Sequence, residues 1–379
     1  MSTRRAANAA DDAGWMARAI QLAQRGCYST SPNPQVGCVI VKDGLLLAEG
    51  WHIRAGEGHA EVNALAACAD AAGATAYVSL EPCSHHGKTP PCANALVAAG
   101  ISRVVIAMQD PNPLVAGRGI AVLKDAGIAV DVGVQQSAAE SLNPGFIKRM
   151  QKGLPRVRAK LAMSLDGRTA MASGASQWIT GAAARADVQK LRAASCAIIS
   201  GVETVLTDNA ALTVRPDEAG IEGDCRQPLR VIVDSRLRTA PTAKLFQGGG
   251  RVLVVTAQNN AQRRAALEAV GAEVLLLAGD DGRVDLPALL QELGRRQCNE
   301  VMVEAGATLA GEFMQQGLLD VMTVYMAPTI FGSNARPLLG MPLNDMNEQQ
   351  RLVIESMRAV GDDWRIDVRV HAGAEKVSG

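Results

Sequence analysis

Apolar residues fall into short runs divided by polar turns along most of the chain, and the runs switch between two periods. Spacings of three and four through Met16, Ile20 and Ala23 predict a first helix, with Asp11 and Asp12 placed to cap it. Residues 36–41 and 45–50 read as strands about the turn Lys42-Asp43-Gly44, which is a hairpin signal. His59 opens an alanine-rich helix to about Ala72, and residues 75–80 read as a buried strand. A helix over 91–99, a strand over 103–108, a helix over 120–126, a strand over 129–133 and a helix over 137–151 follow. This alternation predicts an α/β sandwich, with helices covering a mostly buried sheet.

Gly153-Leu154-Pro155 is the expected boundary, because the glycine and proline punctuate the chain and the pattern then restarts. The expected domains are therefore residues 1–152 and 153–379. Strands are expected at 157–163, 197–200, 230–234, 252–256, 274–277, 301–304 and 321–326, with 366–370 ending the sheet. A chain of 379 residues suits two domains, and 48% apolar content is ample for two cores. There is no internal repeat and no low-complexity tract.

Charge narrows the partners. The chain carries 38 basic and 38 acidic residues, whereas a protein that grips nucleic acid usually shows a basic excess. A small-molecule substrate is expected, with no nucleic-acid partner. No apolar run approaches the roughly 18 to 20 residues of a membrane span, so no membrane partner is expected either. The stretch Met1 to Asp12 lacks the apolar centre of a secretion signal and reads as a frayed leader. Eight cysteines are too few for a disulfide scaffold, and the expected compartment is the cytoplasm, where paired cysteines more often hold metal.

The chemistry-bearing text is His59-Ala60-Glu61 followed by Pro82-Cys83-Ser84-His85-His86-Gly87-Lys88-Thr89-Pro90-Pro91-Cys92. Zinc deaminases carry H-x-E followed by P-C-x-x-C; here the first half matches, while eight residues separate the cysteines. His59, Cys83 and Cys92 supply three ligands of a tetrahedral zinc site and leave the fourth position for water, whose pKa the metal lowers toward about 7. Glu61 is then the proton shuttle, moving protons from water to the ring and the departing ammonia. A structural zinc site would close with a fourth protein ligand, for which His85 or His86 could serve, but such a site has no need of Glu61. Cys27, Cys38, Cys68, Cys196, Cys225 and Cys298 read as packing residues.

Ser31-Pro32-Asn33-Pro34-Gln35-Val36-Gly37, Gly50-Trp51-His52, the HxE segment and the long PCSHHGKTPPC loop together resemble the deaminase half of the bifunctional bacterial riboflavin-biosynthesis deaminase/reductases. The resemblance continues through Lys160-Leu161-Ala162-Met163-Ser164-Leu165-Asp166-Gly167-Arg168, Ser176-Gln177-Trp178 and the stretch from Gly201 to Arg215. It implies a cytidine-deaminase-like three-layer α/β/α sandwich followed by a dihydrofolate-reductase-like α/β domain. The implied reactions are zinc-dependent deamination of 2,5-diamino-6-ribosylamino-4(3H)-pyrimidinone 5′-phosphate and then NADPH reduction of the ribosyl group to ribityl. The product is 5-amino-6-ribitylamino-uracil 5′-phosphate.

Carried over residue by residue, the resemblance implicates Asn33, His52, His85 and Lys88 in holding the first substrate. In the second domain it places Ala162, Trp178, Thr204, Asp208, Ser235 and the turn Gly306-Ala307-Thr308-Leu309-Ala310-Gly311-Glu312 against NADPH. Ser176, Arg192, Leu212, Arg215 and Glu304 fall on the substrate side, where a guanidinium suits a phosphate. Lys160 and Asp208 are the candidates for polarising or protonating the reacting sugar. Taken alone, the 301–312 stretch reads only as a strand, a tight turn and a helix start able to face a phosphate. A homo-oligomer is the expected assembly. The competing readings are a nucleoside or tRNA deaminase with an appended domain, and a zinc-stabilised binding protein without catalysis.

Overall fold

The structure, a computed structural model, describes residues 2–84, 91–113 and 115–370, and side chains from Asp11 onward. It divides into two compact units, Met1–Gly153 and Leu154–Gly379. Among the described residues no helix is long and apolar enough to cross a membrane.

The first unit carries strands β1 (Gly37–Lys42), β2 (Leu45–Trp51), β3 (Thr75–Val78), β4 (Arg103–Ile106) and β5 (Ala129–Val132), in the order β2-β1-β3-β4-β5. The hairpin β1–β2 and the pair β1–β3 are antiparallel, while β3, β4 and β5 run parallel. Asp43 and Gly44 both take positive φ, as the tight hairpin turn requires. Its helices are α1 (Ser2–Ala23), α2 (Ala60–Ala66), α3 (Cys92–Ala98), α4 (Arg118–Asp125), α5 (Gln136–Leu142) and α6 (Pro144–Lys152).

Two glycines set the layers. A Cβ on Gly37 would lie 2.0 Å from the Ala19 carbonyl oxygen of α1, and one on Gly50 would lie 2.4 Å from the Ala64 nitrogen of α2. Gly50 pairs with Cys38, the neighbour of Gly37, and successive residues of a strand face opposite ways. Hence α1 and α2 cover opposite faces, and both approach the sheet to backbone contact.

Four expectations about this unit change. The first helix reaches back to Ser2, so Asp11 and Asp12 lie inside it and the leader reading gives way to helix. Asp12 is buried, takes 2.8 and 2.9 Å bonds from Arg103 and one of 2.8 Å from the Tyr77 hydroxyl, and so joins α1 to the sheet. Helix α2 ends at Ala66, with Asp70 accepting the Ala72 amide in a local turn that competes with helix. The last helix breaks at Asn143-Pro144, where proline cannot donate and the Asn143 side chain bonds both backbone groups of Gln35.

The second unit is built on β6 (Arg156–Ser164), β8 (Ala197–Gly201), β9 (Leu229–Val233), β10 (Val252–Thr256), β11 (Ala272–Leu276), β12 (Glu300–Val303), β13 (Val321–Ala327), β15 (Leu352–Val360) and β16 (Asp363–Val370). Their order is β11-β10-β9-β8-β12-β6-β13-β16-β15, the first seven parallel and the last two antiparallel. A separate pair joins β7 (Arg168–Ala170) to β14 (Arg336–Pro337). The helices are α7 (Ala182–Ala194), α8 (Val202–Asp208), α9 (Pro216–Ala219), α10 (Ala261–Glu268), α11 (Leu286–Arg295) and α12 (Ala307–Gln315).

Ile199, Val231, Leu253, Val301 and Val303 join one core with Leu289, Leu293 and Phe313 of α11 and α12. Their chain neighbours Ile198, Ile232, Val254 and Met302 join another with Val205 of α8 and Leu267 of α10. Strands apolar on both faces need helices on both, as parallel sheets do. Strand β15 was absent from the expectation, and it, not residues 366–370, forms the sheet edge. It is mostly exposed, so its apolar residues do not follow the pattern of a buried strand.

Gly50→Ala should therefore lower the stability of the first unit by about 3 kcal/mol through overpacking. Gly14→Ala is the control, because Gly14 lies in α1 with nothing within 4 Å of an added Cβ; it should gain about 0.5–1 kcal/mol. Calorimetric melts of the two variants check both signs, and only the first unit's transition should move.

Candidate functional sites

His59 caps the N-terminus of α2 in extended backbone, Cys92 is the first residue of α3, and Cys83 lies past the end of β3. Two helix starts and one strand end thus deliver the three side chains to one place. His59 Nδ1, Cys83 Sγ and Cys92 Sγ all lie within 4.8 Å of one another, with nitrogen–sulfur separations of 3.5 and 3.3 Å. Tetrahedral zinc with bonds of about 2.3 Å to sulfur and 2.0–2.1 Å to nitrogen spaces such atoms by roughly 3.6 Å, so the donor set fits zinc. The backbone ties the cysteines further: the Ala93 amide donates to the Cys83 carbonyl at 3.1 Å and the Cys92 amide to Cys83 Sγ at 3.4 Å.

Glu61 follows on the buried face of α2, only 3% exposed, with Cys38 beneath it and the Cys92 thiol as hydrogen-bond partner. Burial pushes its carboxyl up to about 7. The hydrogen bond from Cys92 holds the Cys83 thiol well below the usual thiol range. His52 is buried, donates or accepts at 3.0 Å with the Gly58 carbonyl and with Asn33 Nδ2, and lies edge-on to His59 with ring centres 5.2 Å apart. A carbonyl only accepts and an amide nitrogen only donates, so His52 carries its proton on Nδ1 and receives Asn33 at Nε2. Burial lowers its pKa and keeps it neutral. His85 and Lys88, together with His86, lie outside the described residues.

In the second unit the sequence-selected residues gather at one edge. Ala162 lies near the carboxyl end of β6, Thr204 and Asp208 on α8 directly after β8, Ser235 after β9, and Glu304 with the 306–312 turn after β12. These strands are neighbours and parallel, so all of their carboxyl ends share an edge, the place where ligands bind in open α/β sheets. Gly306 caps α12, and a Cβ on Gly311 would stand 2.6 Å from the Gly340 carbonyl oxygen. Ser176 and Trp178 lie in the connection from β7 to α7, where the exposed Trp178 ring sits 4.6 Å from the Arg185 guanidinium. The Ser235 hydroxyl accepts the Val284 amide at 3.3 Å.

Glu304 is the electrostatic centre of that edge. Arg192 grips it with two nitrogens at 2.8 and 2.9 Å, and Lys160 Nζ stands 3.4 Å away. Burial opposes its charge, but Arg192 and Lys160 hold its carboxyl well below the usual range. Arg215 stands apart from this cluster and pairs with Glu218 at 2.5 Å. Burial raises the Asp208 carboxyl.

Leu212 is buried yet takes φ +52°, left-handed backbone that a branched side chain rarely adopts. The surroundings over-determine it. Gln227 accepts the Val214 amide at 2.8 Å and donates to its carbonyl at 2.9 Å, while Gln189 accepts the Arg215 amide at 3.1 Å. Arg192 and Arg230 donate to the carbonyls of Thr213 and Ala211. Sequence reasoning missed Gln189, Gln227 and Arg230; no spacing marks them, because each bonds backbone far along the chain.

Residues 155–366 match the family described as the RibD C-terminal domain, and residues 9–108 match the cytidine and deoxycytidylate deaminase zinc-binding region. The chain is 50% identical to riboflavin biosynthesis protein RibD of Escherichia coli (strain K12), covering 93% of this chain and 97% of that one. It is 46% identical to RibD of Haemophilus influenzae, over 94% and 96% of the two chains. Among solved structures, Acinetobacter baumannii RibD superposes with a TM-score of 0.89 at 46% identity, covering 96% of this chain and 99% of that one. The Thermotoga maritima diaminohydroxyphosphoribosylaminopyrimidine deaminase/5-amino-6-(5-phosphoribosylamino)uracil reductase gives 0.85 at 33% identity, over 96% and 100%. With its zinc-binding deaminase unit and its reductase unit on one polypeptide, the chain belongs to the RibD family of bifunctional riboflavin-biosynthesis enzymes.

Proposed function

We propose that the first unit deaminates 2,5-diamino-6-ribosylamino-4(3H)-pyrimidinone 5′-phosphate and that the second reduces the ribosyl group of the product with NADPH. The observation that carries the reading is the convergence of His59, Cys83 and Cys92 with a buried Glu61 two residues beyond the histidine. A structural zinc site has no use for a buried carboxyl of this kind.

Zinc, when bound by His59, Cys83 and Cys92, supplies Lewis acidity and a water acidified toward neutral pH. Glu61 accepts a proton from the attacking water and returns protons to the ring nitrogen and the leaving amine. A carboxyl poised near 7 can do both at neutral pH. Asn33 is oriented by His52, which takes one of its two Nδ2 hydrogens, so the amide keeps one donor and its oxygen to meet the edge of the heterocycle. Lys88 is assigned the phosphate and His85 the substrate on the family resemblance.

NADPH, when bound along the carboxyl edge by Ala162, Trp178, Thr204, Asp208, Ser235 and the turn from Gly306 to Glu312, supplies the hydride. Arg215 meets the substrate phosphate, exchanging an exposed Glu218 for a stronger anion. Arg192 acts by gripping Glu304 and the Thr213 carbonyl, which fixes the Leu212 segment on the substrate side. Lys160 and Asp208 are the candidates to protonate the sugar nitrogen or oxygen, and the burial that raises Asp208 favours its acid form. The enzyme acts in the cytoplasm as a homo-oligomer; the exposed apolar residues Leu352, Ile354 and Met357 on edge strand β15 support self-association.

Glu61→Gln should lower ammonia release by about 10²- to 10⁴-fold while metal analysis still finds one zinc per chain. NADPH oxidation should stop with it and return when deaminated substrate is added. Normal ammonia release by this variant would sink the assignment of Glu61.

Glu304→Gln should destabilise the second unit by about 3–5 kcal/mol, because Arg192 and Lys160 are left buried without their counter-ion. The Glu304 carboxyl has a lower pKa folded than its unfolded value of 4.5. Its contribution is therefore full above that value and is lost as the pH falls through the folded pKa. Denaturant unfolding of both proteins should show a constant difference at neutral pH that shrinks in acid.

A further inference from the structure

We infer that Glu81 is a positioning residue of the zinc site, whose carboxylate clamps Asp110 and the start of α4 onto the backbone that carries Cys83. The inference rests on the zinc reading above and extends it to a residue that touches neither metal nor substrate.

Glu81 is 5% exposed and stands two residues before Cys83, across the rigid Pro82. Among the described residues its carboxylate accepts four backbone amides and no side chain. Oε2 takes those of Asp110 at 3.1 Å and Gly117 at 3.0 Å. Oε1 takes those of Gly119 at 2.9 Å and Ile120 at 3.3 Å. Helix α4 starts at Arg118 with Gly117 as its cap residue, and no side chain of its own caps it. Gly119 and Ile120 are thus second- and third-position amides that have no partner inside the helix, and Glu81 supplies their acceptor from 38 and 39 residues away. Its charge also faces the positive end of the helix dipole.

The contact is tight as well as polar. A Cβ on Gly119 would fall 2.0 Å from the Pro82 carbonyl oxygen, so this helix start lies directly on the ligand-bearing backbone. From there the connection to the metal donors is short. Cys83 follows Pro82, its carbonyl accepts the Ala93 amide, and its sulfur accepts the Cys92 amide. A shift at Glu81 therefore reaches one zinc ligand through the chain and the second through the start of α3. Groups that orient metal ligands typically cost about 10- to 100-fold in metal affinity or activity when they are lost.

Glu81→Gln tests the clamp at nearly constant shape. An amide has one accepting oxygen, so in either orientation its NH₂ faces two of the four amides donor to donor. The full chain, loaded with zinc and then challenged with a chelator, should lose metal about 10- to 100-fold faster than wild type, and the cobalt-substituted variant should show an altered visible spectrum. Reduction of supplied deaminated substrate should stay within about twofold of wild type, which a general folding defect would not permit. The same zinc retention and the same cobalt spectrum in variant and wild type would overturn the inference while leaving the zinc reading intact. A wild-type chain that retains no zinc would overturn both.

Should the variant fail to fold, amide exchange in the wild-type chain decides instead. Removing zinc should speed exchange at Asp110, Gly117, Gly119 and Ile120 by about tenfold, whereas equal exchange with and without zinc counts against the clamp.

Discussion

A buried polar group must find its partner inside the protein, and in this chain that constraint shapes both sites. Carboxylates meet it at three places with three kinds of partner. Glu304 is held by Arg192 and Lys160, Glu81 by four backbone amides, and Asp12 by Arg103 and Tyr77. Each ties a helix to strands, a join that the backbone ladders do not make: α7 to β6 and the end of β12, the start of α4 to the end of β3, and α1 to β3 and β4. The positions of zinc ligands and of the reductase edge follow from where these joins fall.

Close backbone approach is the second requirement, and glycine meets it. Helix α2 carries His59 at its cap and Glu61 on its buried face, and its distance from the sheet is set at Gly50. Without a side chain at that position the helix settles on the strand backbone, and the His59 ring comes within bonding reach of Cys83 and Cys92. At Gly311 the same device seats α12, whose capped start closes the turn after Glu304.

What the sequence made legible follows from the range of the interactions involved. Strands such as β10, which runs from Val252 to Thr256 as the alternation predicts, announce themselves because both faces are buried. Edge strand β15 does not, since little of it is buried and its pattern answers to no core. The candidate zinc ligands were readable because histidine and cysteine are rare residue types and three of them fall within one short stretch of the sequence beside an H-x-E motif. Glu81, Gln189, Gln227 and Arg230 were not, because their partners are backbone groups of distant segments, and any sequence can supply an amide or a carbonyl. The roles given to Asn33, Ser176 and Trp178 came from family resemblance, and periodicity would not have found them.

Glu61 and Glu304 are the same residue type with carboxyls shifted in opposite directions at the two sites, and environment accounts for the difference. Around Glu61 lie Cys38 and Cys92, and burial pushes its carboxyl up to about 7. Around Glu304 two cations approach within 3.4 Å, and their attraction exceeds the same burial penalty, so the group stays charged. A deaminase needs a proton that moves in every turnover. At the reductase edge a fixed negative charge has a different use: it holds Lys160 and Arg192 in place and offsets their charge. Exchanging the two environments would disable both halves without altering a single zinc ligand.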